Sequence, residues 1–143
     1  MPDRELRIVI CRDWLLKADN DLANAAHTLT LGASCPTDTV CFHAQQCVEK
    51  YLKAVLVLEG IDFPKTHDLE RLLSFMPVEL RPDLSAEEQE RPTEYATSAR
   101  YPGWEEISLA AARRAVAVAR RVRRFVRRSL PRKALRKPAK AST

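Results

Sequence analysis

The chain has 143 residues, 45% of them hydrophobic and 30% charged, enough for one core that needs neither disulfide nor metal to close it. Net charge is +5, but residues 1–99 hold 10 Lys/Arg against 17 Asp/Glu (net −7) and residues 100–143 hold 14 against 2 (net +12). No apolar run approaches the roughly eighteen residues of a membrane span, and the N-terminus lacks the basic start and apolar stretch of a signal peptide, so neither spanning nor export is expected.

Aromatic residues are only 6%, whereas Ala, Leu, Val, Arg and Glu are plentiful, which predicts an all-α protein. From about Glu5 to Leu31 the apolar positions Leu6, Val9, Ile10, Trp14, Leu15, Ala18, Leu22, Ala25, Ala26 and Leu29 keep helical spacing, and Gly32 supplies a left-handed stop. Pro36-Thr37-Asp38 opens a second long helix, with Thr37 or Asp38 as its cap, and Gly60 closes it. Within it Val40, Ala44, Cys47, Tyr51, Val55 and Leu58 share the core side. On another side Gln45, Glu49 and Lys53 follow at four-residue steps, with His43, Gln46 and Lys50 beside them. That stripe can donate, accept and hold charge, and a merely packed helix needs none.

Pro64 disfavours helix at Phe63, so residues 61–67 read as a turn, after which Thr66 caps a short helix through Leu69, Leu72, Leu73 and Phe75 that ends at Pro77. Pro82, Pro92 and Pro102 break up the next stretch, leaving a turn or two around Ser85–Gln89 and a fragment around Thr93–Ala99. The last helix is expected from near Trp104 to Ser129, with Ile107, Ala111, Ala115, Val118, Val122, Phe125 and Val126 buried and eight arginines between Arg113 and Arg128 over the remainder. Pro131 stops it, so the expected organisation is an up-and-down bundle of three long and one or two short helices over residues 1–130, then a flexible basic tail over 131–143.

Cys11, Cys35, Cys41 and Cys47 form no C-x-x-C pair and read as reduced thiols of a cytoplasmic protein. His43 and Cys47 have zinc-compatible i, i+4 spacing, but two further ligands have no source, and no metal or cofactor is expected.

Four fragments occur in order: Trp14-x3-Ala18-x2-Asp21-Leu22, then Phe42-His43-Ala44-Gln45-Gln46-x2-Glu49-Lys50-x2-Lys53-Ala54, then Thr66-His67-Asp68-Leu69, then Ala99-Arg100-Tyr101-Pro102-Gly103. With them the chain closely resembles the HEPN domain family over roughly residues 5–128. The resemblance implies a helical bundle related to the substrate-binding helical domain of certain nucleotidyltransferases, a homodimer, and a toxin-antitoxin-like pairing with a minimal nucleotidyltransferase. The transferase chemistry itself must come from that partner, because Asp19 and Asp21 sit mid-helix and no Gly-Ser with paired metal-binding aspartates occurs.

Catalytic members of the family are metal-independent ribonucleases with Arg, four to six residues, then His, and that motif is absent. His27, His43 and His67 have no arginine at that spacing, and Glu105 and Glu106 stand where a histidine would follow Arg100. A nuclease would then need Arg100 to stabilise the phosphorane and a displaced His43 or His67 to take the 2′-hydroxyl proton. The bland reading gives His67 a turn-bracing role, Glu49 and Lys53 an i, i+4 pair on a solvated or inter-helix polar face, and Arg100-Tyr101-Pro102 a loop-bracing one. The functional reading has Gln46, Lys50, Lys53, Arg100 and Tyr101 bind nucleotide or RNA, in a positively charged groove where two protomers bring the Gln46–Lys53 flank and the Arg100 bend together. A ligand-free helical interaction protein is the third alternative.

Overall fold

The structure, a computed structural model, describes residues 2–97 and 101–138. Every regular element among them is helical: α1 Arg4–Leu29, α2 Thr37–Leu58, α3 Leu69–Ser74, α4 Ala86–Thr97, α5 Leu109–Ser129 and α6 Arg132–Leu135, with single 3-10 turns at Gly32–Ser34 and Val78–Leu80. Arg7 of α1 donates to the carbonyl of Leu58 at the end of α2, whereas Ala25 of α1 packs with Val40 and Cys41 at the start of α2, so the two run antiparallel. α4 rises from Glu88 beside Arg121 to Tyr95 in the cluster with Cys41, and α5 descends beside it, starting where Thr37 donates to the Ile107 carbonyl. α1, α2, α4 and α5 thus form an up-and-down bundle, as expected from the sequence, with α2 at its centre.

Helix ends follow local chemistry. Asp3, Asp68 and Ser108 cap α1, α3 and α5 by accepting from the amides of Leu6, Arg71 and Ala111. α2 is different. Its N-cap is Pro36, and neither Thr37 nor Asp38 caps it: the Thr37 hydroxyl reaches Ile107 and Asp38 accepts from the next amide, Thr39. At its other end Gly60, at φ +70°, donates to Val57 while Ile61 donates 2.9 Å to Leu56, a Schellman closure with Ile61 packed on the core.

Several expectations need correction. Residues 86–97 are one helix rather than two fragments, because Ser85 and Glu88 form a reciprocal capping box and Tyr95 is buried against α2 and α5, enough to carry the helix through Pro92. The last helix begins at Leu109, not near Trp104: Ile107 is tied to Thr37, and Ser108 takes the cap. Its buried line is Ala112, Val116, Ala119, Val122 and Val126, one position off the expected line in its first half. The alternation of Ala and Val there makes neighbouring faces about equally apolar, so spacing does not choose between them. The first turns of α1 shift likewise, with Ile8 and Cys11 buried while Leu6 and Val9 are exposed.

The segment expected to be tail also carries structure. Arg132–Leu135 make α6, Ala134 is fully buried against the core, and Arg12 of α1 donates 2.8 Å to the Lys133 carbonyl.

Candidate functional site

All six expected core positions of α2 are buried, and the polar stripe is buried with them. Gln45, Glu49 and Lys53 are 1%, 3% and 8% exposed. A carboxylate and an ammonium removed from water must be paired and hydrogen-bonded, and these are. Lys53 Nζ lies 3.0 Å from Glu49 Oε2, under the rings of Trp14 and Phe63 at 5.6 and 5.9 Å from their centroids. Glu49 Oε1 accepts from Gln45 at 3.2 Å and meets His67 Nδ1 at 2.7 Å. Gln45 also donates to the His67 carbonyl, fixing that loop to the helix, and its own oxygen accepts from Gln46 at 2.8 Å.

A second carboxylate, Asp21 of α1, does the same on the neighbouring edge. It holds His43 Nδ1 at 3.0 Å and Lys50 Nζ at 2.6 Å. Between the two acids His43, Gln46 and Lys50 occur at i, i+3 and i+7 on the part-exposed strip of α2, with the His67 ring, 58% exposed, alongside. Each imidazole has Nδ1 on a buried or half-buried carboxylate. In the tautomer that donates from Nδ1, Nε2 keeps a lone pair free to take a proton or a hydrogen bond from a bound hydroxyl.

A third carboxylate, the part-exposed Asp19 of α1, ties three helices. The Tyr51 hydroxyl donates to it, and so does Arg123 Nε at 2.9 Å. Burial and the Asp19 contact push the Tyr51 phenol well above its ordinary range, so it remains a donor. Burial also raises the Cys47 thiol, which packs in the core, and His43 Nδ1 is engaged by Asp21. Among the described residues no three His, Cys, Asp or Glu side chains converge on a metal-sized space.

The flank is therefore not a positive surface: Lys50 is engaged by Asp21, and Lys53 by Glu49 below the rim. Tyr101, 63% exposed, lies elsewhere, lining a hollow of about 350 Å³ with Pro36, Thr37, Trp104 and Glu106 at the first turn of α2. From Thr37 to Lys50 and Lys53 is about 20–24 Å along the helix axis, so one copy of the chain does not join Tyr101 to them. Arg100 lies outside the described residues. Asp19, Asp21, Trp14, Phe63 and Arg123 were not foreseen as partners; the signal available was Asp19 and Asp21 in a helix otherwise rich in core positions, which demands cations opposite.

A four-helix up-and-down bundle whose central helix carries a buried Gln-Glu-Lys ladder defines a narrow class of α-helical domain. The chain belongs to the HEPN domain family, whose model matches residues 11–129. It is similar to the crystal structure of TT1696 from Thermus thermophilus, at 27% identity and TM-score 0.69 over 84% of this chain and 98% of that one. A second likeness is ST0689, described as an archaeal HEPN homologue, at 25% identity and TM-score 0.66 over 83% and 96% of the two chains. No curated protein matches the sequence. Among the described residues no helix is long and apolar enough to cross a membrane.

Proposed function

We propose that this chain is a cytoplasmic, homodimeric HEPN protein that binds nucleotide or RNA as one half of a toxin-antitoxin-like pair with a minimal nucleotidyltransferase. One observation carries the binding part: His43, Gln46, Lys50 and His67 line one rim, each with a polar atom fixed by another side chain, so their outward groups are positioned before any ligand arrives. Lys53 serves in this reading as the buried partner of Glu49, and Arg100 and Tyr101 reach a rim from a second protomer. A melting screen with nucleotides and short RNA tests it. Stabilisation by one ligand class, lost in Lys50→Gln, is the expected result; no shift with any of them leaves only a ligand-free interaction protein. For the pairing, the neighbouring gene should encode a minimal nucleotidyltransferase, and growth arrest on expressing the chain should be relieved by co-expressing that product.

A second reading is favoured by the Glu49–His67 pair: a metal-independent endoribonuclease. His67 Nε2 would take the 2′-hydroxyl proton, the 2′ oxygen attack phosphorus, and the bond to the 5′ oxygen break, with that oxygen protonated by water, leaving a 2′,3′-cyclic phosphate. Glu49 orients the ring. Labelled tRNA in EDTA separates the readings: cleavage lost by about 10²–10⁴-fold in His67→Ala supports the nuclease, whereas binding without cleavage supports the module.

A further inference from the structure

We infer that the groove between α1, α5 and the segment that begins at α6 binds a single strand of nucleic acid through its phosphates, at a site separate from the α2 rim. The groove has a volume of about 530 Å³ and is walled by Arg12, Arg120, Arg123, Arg127, Arg136 and Lys137. A single carboxylate, Asp19, faces them, and Arg123 and the Tyr51 hydroxyl already hold it. Arg12 is turned to the Lys133 carbonyl, which fixes α6 and with it the wall that carries Arg136 and Lys137. Arg120, Arg127, Arg136 and Lys137 have no carboxylate within ion-pair distance among the described residues.

On the other side of α5 Arg121 donates to Glu88 at 2.7 Å and to the Asp83 carbonyl, so that guanidinium is already engaged, whereas Arg120 and Arg127 on the groove side meet no carboxylate among the described residues. On α5 the sequence steps Arg120, Arg123, Arg127 put one guanidinium about every 5 Å along the axis. From Arg12 to Ala26 the α1 wall runs about 21 Å, long enough for several nucleotides and longer than one mononucleotide requires. The lining holds no aromatic ring among the described residues, so nothing stacks a base, and the floor is Leu and Ala. Guanidinium forks against phosphate oxygens then supply the contact, without sequence preference.

Fluorescence anisotropy with 12-nucleotide mixed-sequence RNA and DNA strands, titrated with the full chain across salt, tests the proposal. Three neutralised phosphates give a log–log salt slope of about −2, or roughly 20-fold weaker binding between 50 and 200 mM salt. The variant R120Q/R127Q/R136Q should flatten that slope to near zero, R120K/R127K/R136K should keep it, and R114Q/R124Q/R128Q, with the same charge change on α5 residues outside the groove, should largely keep it. Circular dichroism of each variant checks that the bundle is intact. The proposal is overturned if the groove variant binds as the parent does, if the R114Q/R124Q/R128Q control flattens the slope equally, if poly-glutamate competes as well as the oligonucleotide, or if one sequence is strongly preferred. Failure here leaves the α2-rim reading standing, because that is read by a melting shift and its loss in Lys50→Gln, a residue outside the groove.

Discussion

Gln45, Lys53 and His67 all meet Glu49, and its value to the fold lies in what its removal would strand. Glu49→Gln leaves the Lys53 ammonium buried beside neutral groups, for a loss of about 3–5 kcal/mol in a urea melt, whereas Glu49→Leu with Lys53→Met removes both charges and should fall within about 1 kcal/mol of the parent. Equal losses in the two variants would show that packing rather than pairing sets the cost. The thiols give a pH signature. Burial pushes Cys11 and Cys41 up to about 12 from an ordinary 9.0, so above pH 9 the unfolded chain releases protons that the folded chain retains. Folding stability should therefore fall as pH rises from about 9 to about 12, and Cys11→Ala with Cys41→Ala should flatten that fall. At this scale the sequence identified the polar residues of α2 but not their burial: a helical period of 3.6 says which residues share a side, and only neighbouring elements say whether that side is covered.

α4 and α5 are joined by Glu88 and Arg121. That guanidinium is the main cause holding the Glu88 carboxyl below its usual value of 4.5. A depressed folded value means the contribution is present above pH 4.5 and is lost as pH falls through the folded value. Both partners are partly solvated, so the gain is under about 1 kcal/mol. Parent and Glu88→Gln should differ slightly in melting temperature at pH 7 and converge in acid; a difference that persists at pH 2 would assign it to packing instead. The element-scale failures of the sequence have the same origin. Pro92 lowers the propensity of α4, but propensity costs of about 3 kcal/mol are outweighed when Tyr95 and a capping box fix the helix from both ends. The last helix starts five residues after Trp104 because a tertiary hydrogen bond from Thr37 and the Ser108 cap decide the boundary.

Across the molecule, the C-terminal segment is part of the bundle wall. Ending the chain after Pro131 removes buried Ala134, half-buried Leu135 and the acceptor of Arg12, for an expected loss of about 1–3 kcal/mol in a thermal melt; an unchanged melting temperature would return the segment to the role of a tail. The sequence by itself determined the helical class, the core side of α2, the ends marked by Gly60 and Pro131, and the segregation of charge, because periodicity, backbone freedom and composition are local properties. Tertiary structure alone decided which charges meet. Asp21 and Asp19 engage His43, Lys50 and Arg123 from 22 to 104 residues away, Lys53 is closed over by Trp14 and Phe63, and Arg121 of α5 meets Glu88 while Arg120 and Arg127 meet no carboxylate among the described residues. Electrostatic pairing depends on distance and burial in space, and neither is written in the order of residues along the chain.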